Sequence, residues 1–127
     1  VSGVLIAAAL ADMVLGPMVA EGKATRYSKG VMPEVVAARA RWGHIDLDLE
    51  HTGYVALADS QYLGERVMLE ANGKLYGPLL VADCAQQAHM EYLANIGFAV
   101  DLSWELAQQI GVIDAPLQGV KVYLWDD

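Results

Sequence analysis

Asp83 and Asp101 each stand at the polar end of a short apolar run, residues 79–82 and 98–100. Apolar runs of this length that stop at a charged residue read as buried strands whose tips reach solvent or a cleft. Two carboxylates delivered in this way are equipment for acid–base work: one protonates a leaving group while the other acts as base or stabilises charge. Cys84 follows Asp83 directly. An acidic neighbour disfavours a thiolate, so the sequence places Cys84 as a small buried apolar residue rather than a nucleophile. A second group of polar residues runs from His44 to His51, where His44, Asp46, Asp48 and Glu50 alternate with Ile45, Leu47 and Leu49. That alternation predicts a half-buried strand with one acidic face. Side chains at i, i+2 on a flat strand rarely converge on one ion without further partners, so no metal and no cofactor is expected. Three Trp and six Tyr are available for stacking on sugars. Most fall at core spacing; Tyr27, Tyr62 and Trp104 are the ligand-binding candidates.

The elements that must position these groups can be read in order. Residues 23–27 form a candidate strand. Residues 33–42 form a short helix, with Pro33 at its first position and Glu34 in its first turn. Residues 53–58 are a strand and 59–64 a turn. Residues 66–70 and 74–82 flank Asn72-Gly73, a two-residue hairpin signal. Gly77-Pro78 interrupts the second arm, where a bulge or an edge position is expected, because proline donates no ladder hydrogen bond. Residues 85–95 read as helical, closed by Gly97. Ser103 is placed to cap a helix carrying Leu106, Ala107 and Ile110, and Gly111 to end it. Residues 119–125 form a last apolar strand.

Several of these pieces resemble one known group. Val-Ala-Asp-Cys-Ala at 81–85, then Val-Asp-Leu-Ser at 100–103 and a short helix, resembles the double-psi β-barrel of rare-lipoprotein-A-like, expansin and barwin-like proteins. Gly22-Lys-Ala-Thr-Arg-Tyr is similar to the group's opening strand, and Tyr54-Val-Ala-Leu-Ala with Tyr62-Leu-Gly-Glu-Arg-Val to its second strand and turn. Asn72-Gly73-Lys74 resembles its hairpin, and Gly119-Val-Lys-Val-Tyr its closing strand. The likeness covers roughly residues 22–125. It implies a mainly β, six-stranded double-psi barrel with short helices. It also implies that Asp83 and Asp101 occupy positions of catalytic aspartates in glycan-cleaving relatives, where a carboxyl protonates the glycosidic oxygen. The match has gaps. Cys84-Ala85-Gln86 replaces the Arg-Gly-Pro that follows the first aspartate in the lipoprotein-A-like group. Ala99-Val100-Asp101 stands where expansins have His-Phe-Asp, and 58–60 lacks the histidine expected after the second strand. Without those partners, both aspartates also read as structural, Asp101 accepting backbone amides and Asp83 capping a strand end.

Length and charge bound the rest. The 127 residues fit one domain core. A net charge of −8 supplies no basic face, so nucleic acid is not an expected partner. A single cysteine rules out an internal disulfide. Hydrophobic residues make up 55% of the chain, and the excess is concentrated in residues 1–20. That stretch is long enough for a helix that spans a bilayer. It fits a signal peptide, a membrane anchor strained by Asp12, or an apolar helix buried against other subunits. The expected organisation is therefore an apolar helix over 1–20, serving as assembly segment or anchor, and a barrel domain over 21–127. The expected function is a non-catalytic structural subunit of an extracytoplasmic or membrane-associated assembly, held to copies of itself or to other subunits through 1–20. The alternative is a module that binds or cleaves cell-wall glycan, working on polysaccharide through Asp83 and Asp101.

Overall fold

The structure, a computed structural model, describes the backbone of residues 4–6 and residues 15–125 in full. It is a mainly β fold: seven strands and three short helices. The strands are β1 (Val4–Ile6), β2 (Leu15–Arg26), β3 (Tyr54–Leu57), β4 (Arg66–Ala71), β5 (Lys74–Cys84), β6 (Phe98–Leu102) and β7 (Leu117–Trp125). The helices are α1 (Val31–Arg41), α2 (Met90–Asn95) and α3 (Trp104–Ile110). Six strands close a barrel in the order β5-β3-β6-β2-β7-β4, with β4 returning to β5; β1 pairs with the first residues of β5 outside that ring. Two neighbouring pairs, β2 with β6 and β3 with β5, are parallel, and the others are antiparallel. The ring is unchanged in order and direction when β2, β3 and β4 are exchanged with β5, β6 and β7.

The apolar runs in the sequence have a physical reason. Inside the barrel lie Val55, Leu57, Val67, Leu69, Leu79, Val81, Val100, Leu102, Val120 and Val122. Outside it, Leu80 and Ala82 of β5 pack with Met32 and Val36 of α1 and with Ile45. The β5 run is continuous rather than alternating because α1 buries its outer face as well. The turn between β4 and β5 is the expected Asn-Gly hairpin, with Asn72 at φ 55° and Gly73 at φ 73°. Gly77-Pro78 sits where the β4–β5 register slips between Val67 and Leu69, the expected bulge. Ser103 caps α3 by accepting from the Leu106 amide at 3.3 Å, and Gly111 ends it at φ 95°.

Three expectations need correction. Residues 44–51 are irregular, not a strand. Asp46 Oδ1 accepts from the Asp48 amide at 2.9 Å, and the Leu49 amide donates to the Asp46 carbonyl. These local bonds compete with any ladder, so only Ile45 of the alternating apolar residues is buried. The helix at 33–42 begins two residues earlier, at Val31, which puts Pro33 inside its first turn. Finally, residues 15–20 belong to β2, so a domain boundary at residue 20 would fall within a strand. Gly16-Pro17 opposes a continuing helix, and β7 offers a partner: Leu15 pairs with Trp125, Met18 with Tyr123 and Ala20 with Val122. The rest of the apolar helix expected over 1–20 lies outside the described residues, apart from the strand at Val4–Ile6. Among the described residues no helix is long and apolar enough to cross a membrane.

Candidate functional site

The strand register builds the site. Parallel pairing of β2 and β6 sets Thr25 opposite Asp101. Antiparallel pairing of β6 and β3 sets Asp101 opposite Ala56. Parallel pairing of β3 and β5 sets Ala56 opposite Asp83. Thr25, Asp101, Ala56 and Asp83 thus form one row across four adjacent strands. With Ala56 between them, the two aspartates sit two strand spacings apart, roughly 10 Å between their backbones.

The two carboxylates meet different surroundings. Asp101 is half-buried between the fully buried Val100 and Leu102, and its Oδ1 accepts from Thr25 Oγ1 at 3.1 Å. Loss of water raises its pKa from 3.8 to about 6; the Thr25 bond and Arg26 oppose the rise, and the charge of Asp83 adds to it. Asp83 is clasped on both oxygens. Tyr27 Oη donates to Oδ2 at 2.6 Å, and Arg39 Nη2 donates to Oδ1 at 2.8 Å. Both oxygens are thereby engaged by side-chain donors. Burial, then the bond to Asp83, raises the Tyr27 pKa above its ordinary value, so the phenol remains a donor. Arg39 Nη1 lies 3.0 Å from His44 Nδ1.

A cleft of ≈ 130 Å³ opens beside the row, lined by Tyr27, Asp101 and Cys84 with Leu57, Leu93 and Phe98 among others. Leu57 and Phe98 also wall a neighbouring cleft of ≈ 330 Å³ under α2, which holds Tyr62, Glu21 and Asp59.

The fold therefore brings Asp83, Asp101 and Tyr27 together. It separates Tyr62 into the adjoining cleft. Trp104 lines neither cleft; the Arg26 guanidinium lies 4.8 Å from its ring centroid, and Arg26 Nε donates to the Ile113 carbonyl. Its ring face is thus taken up by a structural contact. Among the described residues Asp101 accepts from the Thr25 side chain rather than from the backbone amides expected of it, and Asp83 is likewise held by side chains. Cys84 is half-buried in the cleft wall, with Sγ 3.7 Å from Arg39 Nη2, rather than a core residue. Among the described residues no three His, Cys, Asp or Glu side chains converge into a metal-binding group. Arg39 and Thr25 were not legible as site residues, and His44, read as part of an acidic strand face, instead meets Arg39. Arg39 reaches Asp83 across 44 residues of chain, and only the packing of α1 on β5 brings them together. No known protein family, curated protein or solved structure matches this chain.

Proposed function

We propose that this chain is a double-psi barrel of the rare-lipoprotein-A-like, expansin and barwin-like kind, and that its cleft binds and cleaves a cell-wall glycan with Asp101 as the acid. The observation that carries the reading is the contrast between the two carboxyls. Asp101 is dehydrated and keeps its proton to about pH 6, while both oxygens of Asp83 are taken by hydrogen bonds from Arg39 and Tyr27. Carboxyl pairs held in contrasting surroundings, one dehydrated and one clasped by donors, are characteristic of acid–base sites. The closed six-stranded ring and its two parallel pairs agree with the proposed family.

With both oxygens of Asp83 engaged, the cluster offers one mobile proton rather than two carboxylates free to act. That suits chemistry of the lytic transglycosylase type. Asp101 gives its proton to the glycosidic oxygen as the C–O bond breaks. The resulting carboxylate then takes a proton from a hydroxyl of the same sugar as that hydroxyl closes an internal ether. Proton balance is restored without a second base. In this reading the chain works outside the cytoplasm on wall polysaccharide.

A second reading keeps the barrel non-catalytic, as a structural subunit. The Arg39–Asp83–Tyr27 contacts support it, since they tie α1 to the barrel wall whether or not any sugar binds. Incubation with purified peptidoglycan and analysis of soluble fragments separates the two. The catalytic reading expects anhydro-sugar products that fall about 10²–10⁴-fold in Asp101→Asn. A parent protein that neither binds nor releases any fragment leaves the structural reading in place.

A further inference from the structure

We propose that the cleft under α2 is a second sugar subsite, continuous with the Asp101 cleft, and that Glu21 and Asp59 select there a sugar bearing a free, protonated amine. The inference rests on the glycan reading and adds the class of glycan.

The ≈ 330 Å³ cleft shares Leu57 and Phe98 with the Asp101 cleft, so the two clefts adjoin. Its walls are of two kinds. Phe98, Tyr62 and Met90 supply apolar surface for the C–H face of a pyranose ring. Among the described residues Glu21 and Asp59 are the only charged groups in its lining, and both are acidic. Asp59 is held ionised, its pKa lowered by hydrogen bonds from the Gln61 amide at 3.0 Å and from the Gln61 side chain at 2.6 Å. Two cations flank the cleft without lining it: Lys121 stands opposite Glu21 on β7 and Lys23 opposite Phe98. An acidic sugar would meet repulsion here and an acetamide no counter-charge, whereas an ammonium meets two carboxylates beside an apolar wall.

The roof is suited to admitting a chain. No residue of α2 is fully buried, and its N-terminus has no side-chain cap. The helix therefore shifts at small cost relative to the barrel strands.

The test titrates the full chain, by calorimetry, with glucosamine tetramer, N-acetylglucosamine tetramer and cellotetraose. The glucosamine tetramer is expected to bind about fivefold more tightly than the acetylated one, the scale of two partly exposed ion pairs. The Glu21→Gln/Asp59→Asn double variant should remove that preference; asparagine can still accept the Gln61 amide. Because the whole chain is acidic, Glu34→Gln/Glu50→Gln serves as a matched control and should leave the preference unchanged. Equal affinity of the parent for the two tetramers overturns the amine assignment, as does loss of the preference in the control variant. If the parent binds none of the three sugars, the glycan reading itself fails. If it binds the acetylated tetramer equally well, that reading stands and only this inference is lost.

Discussion

Burial holds the Asp101 carboxyl neutral to about pH 6, against an ordinary value of 3.8. A carboxyl whose pKa is raised by folding keeps its proton better in the folded state. Its contribution is fully present below pH 3.8 and is lost as pH rises through 6. Above that, ionised Asp101 costs the fold on the order of 3 kcal/mol. Asp101→Asn retains an acceptor for Thr25 Oγ1 but has nothing to ionise. Its melting temperature is therefore expected to match the parent's near pH 4 and to exceed it at pH 7.5. Equal melting curves at both pH values would show that Asp101 is not dehydrated as described. Any cleavage that needs its proton falls off over the same range, as pH passes about 6. Arg39 sets the neighbouring charge, and its role could not be read from the sequence: one arginine in a helical run has no spacing that points to an aspartate on another element.

Among the elements, β6 carries the heaviest load. It joins β2 on one side and β3 on the other, and it places Asp101 between Val100 and Leu102, both fully buried. Leu102→Ala is expected to cost about 2–5 kcal/mol in denaturant unfolding, the range for a truncated core leucine. A change under about half a kcal/mol would remove β6 from the core. This strand was legible, as were α3 with its Ser103 cap and the Asn72-Gly73 hairpin, because short-range chemistry fixes each of them. Residues 44–51 and 15–20 were not. The first has a strand's alternation but no neighbour to pair with, and Asp46 spends its hydrogen bonds locally. The second has a helix's apolar length, but β7 lies alongside it. In both cases the deciding partner is remote in sequence. The site was half legible for the same reason: the aspartates lie at strand tips, while the groups that clasp them come from elsewhere.

At the scale of the whole molecule, β2 reaches back to Leu15, so removal of residues up to 20 takes away three β2–β7 pairs. A chain beginning at Leu15 is expected to keep the ring closed. One beginning at Glu21 should melt at a lower temperature or fail to fold, as followed by circular dichroism. Identical melting of the two would show that residues 15–20 add nothing to the barrel. The exchange of the two strand triplets has a kinetic side as well. Each half lends a strand to a parallel partner in the other half: β2 lies beside β6 and β3 beside β5. Thr25 and Asp101, bonded in the finished site, are 76 residues apart along the chain. No segment that holds only one triplet can close on itself, so nothing barrel-like forms until β6 and β7 have been made. A growing chain can pair β4 and β5 as a hairpin and set β3 beside β5, but β2 waits unpaired until β6 and β7 have emerged, and closure then follows on the slow, ~ms to s, timescale of folds built from distant contacts.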